Sequence, residues 1–182
     1  MPSLQTVGRR FENNMLRADG FPFKAVIIPA EDSVPSSYDF TEIRHIIRLR
    51  HDSIVGAGDT VLDPAGNRFI LANFDSNVVY DEVLYKSCLA YPVNRRPLWQ
   101  REGESVKDPL TNLAKSSGLV TIGRIDALIE TFGREDLDGA IKVREQTRRL
   151  VTNAPIQLND IVEDMVVKRV DLSLGVWVAE IE

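Results

Sequence analysis

The segment Gly56–Leu71, GAGDTVLDPAGNRFIL, has two interpretations that lead to different kinds of protein. Its opening GAGD could cradle a phosphate, since glycine-rich backbone at the start of a helix binds anions, and the chain would then be a nucleotide enzyme. Alternatively, the whole segment is a β-hairpin with no chemistry of its own. The choice determines both the fold class and the functional class.

The residues after GAGD favour the hairpin. A phosphate loop needs a Lys-Ser/Thr pair or a third glycine before a helix, and neither follows Thr60. Instead, the segment from Asp63 to Asn67 places Pro64 where φ is preset at about −65° and Gly66 where a positive φ is needed. β-type residues precede and follow this turn. The sequence therefore predicts two paired strands and no nucleotide site.

Composition and charge exclude several classes of protein. The 182 residues include 22 Lys and Arg against 27 Asp and Glu, a formal net charge of −5, which does not suit a protein that binds nucleic acid mainly through phosphates. The single cysteine, Cys88, cannot form an internal disulfide. The chain contains no apolar run of signal-peptide or membrane-span length, so we expect a soluble protein without a membrane partner.

Apolar spacing along the rest of the chain predicts a mainly-β fold: a small β-barrel or sandwich with long hairpin loops, in one or two lobes. A short N-terminal helix is expected over residues 3–17, with Leu4, Val7, Phe11 and Met15 on one face. The predicted division is a helical segment at 1–20, a barrel-like lobe at 21–100, a linker or loop at 101–117, and a second β segment or lobe at 118–182 that packs on or extends the first.

The second β segment opens with two apolar stretches, residues 118–132 and 140–152, joined by a polar turn. Alternation in these stretches favours a long two-stranded arm over two helices, with a helix at 124–132 as the alternative. Short strands are expected around Ile161 and over residues 166–172 and 176–181.

A shift of the sequence by 101 residues suggests an internal repeat. Both copies have a strand, a loop, the pattern D-x-V-x-D, a turn, and the pattern R-apolar-x-L. The alternative is that two hairpins in one protein share turn chemistry. The identical pairs are Arg48/Arg149, Leu49/Leu150, Asp59/Asp160, Val61/Val162, Asp63/Asp164, Arg68/Arg169 and Leu71/Leu172.

No residue pattern points to catalysis, a metal or a cofactor. Residues 134–145 approach the spacing of a calcium loop, but Arg134 lies where the first carboxylate ligand belongs, so an acidic hairpin tip is expected. His45 and His51 do not have a metal-ligand spacing. Cys88 lies in an apolar strand and is expected in the core.

An extended basic and aromatic loop at residues 92–99 is the leading candidate for contact with a partner, because Arg and Trp are favoured at interface cores. The residues expected to make this contact are Arg95, Arg96, Trp99 and Arg101. The alternative is a surface loop whose Trp99 packs back on the body. If the loop is a contact, deleting residues 95–101 should leave the fold intact and abolish assembly.

The hairpin resembles the core of the head-closure proteins of tailed bacteriophages, also called stopper or head-tail joining proteins. The matching residues are Gly58-Asp59-Thr-Val-Leu62, Gly66 and Arg68-Phe-Ile-Leu71, after a strand like that at 43–50. The resemblance covers about residues 40–93. The second β segment makes this chain longer than the usual member.

The resemblance implies a virion structural protein with no catalytic residues and no cofactor. It would form a cyclic homo-oligomer, a hexamer or dodecamer, in the neck of the virion below the portal, after assembly in the host cytoplasm. Its partners would be portal or adaptor proteins and tail proteins, with passive proximity to packaged DNA. The alternatives are another tail component, such as a tail terminator, collar or baseplate protein, or a small cytosolic ligand-binding or enzymatic barrel.

Overall fold

A computed structural model of the chain describes residues 12–29, 45–79, 82–107, 110–111, 114–115, 118–131 and 148–182. The chain divides into two compact units, one formed by residues 1–94 and 172–176 and the other by residues 95–171 and 177–182. The strands are β1 (Asn13–Arg17), β2 (Pro22–Pro29), β3 (His45–Arg50), β4 (Thr60–Leu62), β5 (Arg68–Val79), β6 (Glu82–Pro92), β7 (Leu98–Glu102), β8 (Val106–Lys107), β9 (Ala114–Lys115), β10 (Leu119–Arg124), β11 (Ala127–Thr131), β12 (Arg148–Thr152), β13 (Ile161–Val162), β14 (Met165–Ser173) and β15 (Val176–Ile181).

Unit 1 is a closed barrel with the strand order β1-β2-β3-β6-β5-β4. Neighbouring strands are antiparallel, and β1 closes the barrel by pairing with both β2 and β4. In β3, Ile47 and Leu49 are buried while Arg48 is exposed, as the alternation in the sequence predicts. The barrel core is a cluster of inward side chains: Met15, Ala25, Ile47, Leu49, Val55, Val61, Phe69, Leu71, Cys88 and Ala90.

The predicted hairpin is confirmed in unit 1. β4 and β5 are antiparallel and pair Leu62 with Arg68 at the turn. Oδ1 of Asp63 accepts hydrogen bonds from the backbone amides of Ala65 and Asn67, at 2.8 and 2.9 Å. Gly66 has a φ of 87°, the positive value that the turn requires.

Unit 2 is a seven-stranded curled sheet with the order β10-β7-β13-β14-β15-β12-β11. Its first and last strands, β10 and β11, are consecutive in the chain and are separated only by Ile125 and Asp126. An isolated bridge joins Arg95, just before β7, to Ala127 at the start of β11. The core of this unit contains Trp99, Ile125, Ala127, Ile129, Leu150, Ile156, Val162, Val167, Ala179 and Ile181.

The two units share one strand order. If β10 and β11 are counted as one interrupted strand, the sheet of unit 2 reads β7, β10/β11, β12, β15, β14, β13, which follows unit 1 strand for strand. In both units the second and third strands are antiparallel: Ile27 pairs with Ile47 in unit 1, and Ile129 pairs with Leu150 in unit 2. The repeat suggested by the sequence therefore corresponds to a repeated architecture.

The expected N-terminal helix was wrong over its described part. Residues 13–17 form β1 and not the end of a helix, and residues 1–11 lie outside the described part of the chain. The preference for strands over residues 118–132 is confirmed by β10 and β11, and the alternative helix at 124–132 does not form. β7 begins within the expected lobe at 21–100 and ends within the expected linker at 101–117, and the compact units divide between residues 94 and 95.

None of the described residues belongs to a helix that could cross a lipid bilayer.

Candidate functional site

The glycine-aspartate loop of unit 1 is a structural turn. The amide of Gly56 donates to Oδ2 of Asp59 at 2.9 Å, and the amide of Gly58 donates to the carbonyl of Leu71 at 2.7 Å. Gly58 has a φ of 85°, and β4 follows directly at Thr60. Because these amides are already hydrogen-bonded within the loop, and a strand follows them, the segment does not form a phosphate-binding helix start.

The same hydrogen bonds recur around Asp160 in unit 2. The amide of Gln157 donates to Oδ2 of Asp160 at 2.8 Å, and the amide of Asn159 donates to the carbonyl of Val167 at 2.9 Å. Asn159 has a φ of 67° and takes the place of Gly58, since asparagine is one of the few other residues that tolerates this conformation. Asp59 and Asp160 are therefore equivalent positions.

Asp160 also holds two side chains of β7. Its Oδ2 accepts a hydrogen bond from Nε1 of Trp99 at 2.8 Å, and its two carboxylate oxygens bind the guanidinium of Arg101 at 2.6 and 2.8 Å. The guanidinium carbon of Arg101 lies 5.3 Å from the centre of the Trp99 ring. Asp160 is 1% exposed, so this cluster fixes β7 to the loop before β13.

The charge state of Asp160 follows from its contacts. Burial raises the pKa of its carboxyl group, but hydrogen bonds from Arg101, the Gln157 amide and Trp99 outweigh burial and hold the pKa below its usual value. The same pairing raises the pKa of the Arg101 guanidinium, mainly through the hydrogen bond to Asp160. The cluster therefore contains a carboxylate and a guanidinium at neutral pH.

The structure separates the four residues of the predicted contact loop. Trp99 and Arg101 point to Asp160, so Trp99 packs back on unit 2. Arg95 and Arg96 are exposed, and their guanidinium groups lie 2.9 Å from Glu163 and from a buried oxygen of Asp126, respectively. Deleting residues 95–101 would remove most of β7 along with both partners of Asp160, so this deletion would damage the fold.

The other sequence candidates have simple structural roles or lie outside the described residues. Cys88 is buried, and burial raises the pKa of its thiol to about 12, so it behaves as a small apolar side chain. His45 packs edge-on against Phe69, with ring centres 5.3 Å apart. The described residues contain no group of three side chains that could hold a metal ion. Residues 134–145 are not described.

An arm of two strands, β7 and β10, was not identified from the sequence as such. β10 pairs with β7 and, among the described strands, with no other. Leu119 and Val120 point to opposite faces of β10 and are 55% and 51% exposed, and Ile122, at a β-bulge, is 45% exposed. The arm thus presents apolar side chains on both faces and a strand edge without a partner among the described strands, a combination typical of contact surfaces.

Unit 1 has an apolar groove with a volume of about 630 Å³. It lies beside β1, where Leu16 pairs with Pro22 of β2 and with Leu62 of β4. Leu16 is 47% exposed. The sequence did not reveal this groove, because residues 3–17 were expected to form a helix.

The chain was compared with models of known protein families, with curated proteins and with solved structures, and none of them matches it.

Proposed function

We propose that this protein is a structural subunit of the neck of a tailed bacteriophage, a head-closure protein that forms a cyclic homo-oligomer below the portal. In this role it helps to retain packaged DNA and docks the tail, with portal or adaptor proteins and tail proteins as its neighbours. It works through shape and subunit contact in the virion.

The barrel of unit 1 supports this proposal because the resemblance to head-closure proteins predicts such a barrel. The residues that carry the resemblance lie in its β4–β5 hairpin, where Val61 and Leu71 are fully buried. The charged side chains of unit 2 described above are engaged in ion pairs: Arg95 with Glu163, and Arg101 with Asp160. These groups stabilise the unit.

The observation that carries the proposal is the exposure of the arm. A hairpin in water normally has one polar face, whereas β10 exposes Leu119 and Val120 on opposite faces and leaves one edge without a described partner strand. Burial of this strand against another subunit would remove apolar surface from water and satisfy the edge. In an assembly, a neighbouring subunit can bury β10 in this way.

The test is electron microscopy of the purified full-length protein, with its mass measured over a wide range of concentrations. We expect closed rings of a single order. The variant Val120→Lys should remain folded, because the side chain is exposed, but should lose the rings. The control is Leu158→Lys, which changes an equally exposed leucine outside the arm.

A protein that stays monomeric at every concentration would overturn the proposal, and saturable heat of binding to a small molecule by that monomer would favour a ligand-binding barrel. Rings that survive Val120→Lys would show that assembly does not use the arm.

A further inference from the structure

The two units differ in chemistry at one shared position. Leu16 of β1 pairs with Pro22 and Leu62 in unit 1. In unit 2 the corresponding residue of β7, Leu98, pairs with Arg124, and its carbonyl accepts the amide of Glu163 at 3.1 Å. Both neighbours of the leucine are thus apolar in unit 1 and charged in unit 2.

Each unit has a concavity beside this leucine, and the two concavities differ in polarity. The one in unit 2 is lined by ion-paired and hydrogen-bonded charged groups; Arg124, for example, donates to the carbonyl of Arg96 at 3.0 Å. Water solvates such groups well. The groove of unit 1 is lined mainly by apolar side chains, among them Leu16, Pro22, Phe23, Leu62 and Pro64, and its polar lining is Asn14, Lys24 and Asp63. Burial of this groove would be favourable.

The two units also differ in the connection after their first strand. In unit 1 a short turn from Ala18 to Phe21 joins β1 to β2. In unit 2 the corresponding strands, β7 and β10, are separated by residues 103–118. The last pair between β7 and β13 is Gln100 with Ile161, but β7 and β10 stay paired beyond it, as far as Glu102 and Leu119. The arm is therefore an addition to unit 2, because the short turn of unit 1 leaves no room for further strand pairs.

We propose that the arm of one copy of the chain docks into the groove of unit 1 in a second copy. This inference rests on the proposed assembly and names its interface. Leu119 and Val120 point to opposite faces of β10, so one face of the arm enters the groove, and a groove of about 630 Å³ has room for the apolar side chains of that face. β1 is hydrogen-bonded on both edges, so docking is through side chains and not through strand addition.

One groove and one arm on each chain make a heterologous interface. Each copy gives its arm to one neighbour and receives the arm of another, and the rotation between copies then decides whether the chain of subunits closes into a ring. This arrangement uses equal numbers of arms and grooves, so in a closed ring every groove holds an arm.

The test is disulfide crosslinking between two separately purified full-length variants, Leu16→Cys and Val120→Cys. Oxidation of the mixture should give a covalent dimer that forms in neither variant alone. Wild-type protein is the control for Cys88, which is buried and has the raised pKa of an unreactive thiol. Leu119→Cys and Ile122→Cys, each mixed with Leu16→Cys, cover the neighbouring positions of the arm.

The outcomes separate this inference from the proposed function. Rings that form normally while none of the three mixtures crosslinks would overturn the docking of the arm in the groove and leave the assembly intact. A double variant, Leu16→Cys with Val120→Cys, that oxidises only to a monomer with an internal disulfide would place the arm in the groove of its own chain, which also contradicts the proposal. Absence of any assembly by the wild type would overturn both.

A further variant tests the role of the groove through the strength of association between subunits, without crosslinking. Leu62→Lys puts a charge into the apolar lining. We expect association to weaken about 30-fold, because the contact loses the burial of one leucine side chain. Leu158→Lys, at an exposed position outside groove and arm, should associate like the wild type. Equal association of the two variants would contradict the role of the groove.

Discussion

Trp99 and Asp160 lie 61 residues apart in the chain and are joined by a buried hydrogen bond of 2.8 Å from the indole Nε1 to Oδ2. The same carboxylate holds Arg101 through two further hydrogen bonds. Since Trp99 and Arg101 are on β7, the first strand of the arm, Asp160 sets the position from which the arm extends.

Removal of the Asp160 side chain should destabilise unit 2. In Asp160→Ala, Trp99 and Arg101 lose their shared partner, and we expect a loss of about 3 kcal/mol, the low end for breaking a buried ion pair, because the Arg101 side chain is still one-third exposed to water. Both tryptophans of the chain, Trp99 and Trp177, belong to unit 2, so denaturant unfolding followed by tryptophan fluorescence reports on this unit.

The matched control is Glu163→Ala. It removes the exposed ion pair between Arg95 and Glu163, which should contribute no more than about 1 kcal/mol. If the two alanine variants unfold at the same denaturant concentration, the buried cluster is not the stronger anchor of β7.

The stability of unit 2 should depend on pH through the same carboxylate. The pKa of Asp160 is lower in the folded protein than in the unfolded chain, so its contribution is complete above the unfolded value of about 4 and is lost as the pH falls through the folded value. The difference in unfolding free energy between wild type and Asp160→Asn should therefore shrink as the pH falls from about 6 to about 3. A constant difference over this range would show that Asp160 does not titrate with a lowered pKa.

The sequence was sufficient to predict those parts of the fold whose signals are local. The hairpin of β4 and β5 was predicted from Pro64 and Gly66 in the turn, and β3 from the alternation of Ile47, Arg48 and Leu49. β1 was missed because Met15 is its one buried residue, and a single buried position in five cannot show a period of two.

The shift of 101 residues aligns structurally equivalent residues of the two units over only part of the repeat. Asp59 and Asp160 are equivalent in structure, but the hairpin that follows is shorter in unit 2, where Val162 pairs with Met165 across two turn residues. A comparison without gaps therefore aligns Leu71 with Leu172, although Val167 occupies the equivalent place. The arm and the groove could not be predicted, because exposure at Leu16 or Val120 depends on which strands lie beside them.

Gly58 should be required for its backbone conformation. Alanine at this position, with a φ of 85° and a Cβ 3.2 Å from the carbonyl oxygen of Gly175, should cost about 1–2 kcal/mol. Asparagine should cost less, because Asn159 adopts the same conformation in unit 2. The measurement is scanning calorimetry, with Gly56→Ala as the control, since a Cβ there meets no atom within 4 Å. Equal effects at positions 56 and 58 would contradict a specific turn role.

Shortening the hairpin of unit 1 tests the equivalence of the two units and the groove together. Replacement of residues 62–68 by Asn-Gly joins Val61 to Phe69 through a two-residue turn, as Val162 is joined to Met165. We expect the barrel to persist with a loss of about 1–2 kcal/mol. The hydrogen bond from the Val93 amide to the Arg68 carbonyl and the pairing of Leu62 with Leu16 are removed, while Arg17 still pairs with Val61 and a shorter loop is easier to close.

The same replacement removes the wall of the groove formed by Leu62 and Pro64, so ring formation should be lost although the barrel remains folded. Hydrogen exchange of the core amides in β3 and β6 shows whether the barrel is folded, and electron microscopy shows whether rings form. In the control, Glu163 and Asp164, both at positive φ in a two-residue turn, are replaced by Asn-Gly, which suits this turn and leaves the groove unchanged. A shortened variant that still forms rings would show that the groove wall is not part of the interface, and one whose core amides exchange freely would show that the two hairpins are not interchangeable.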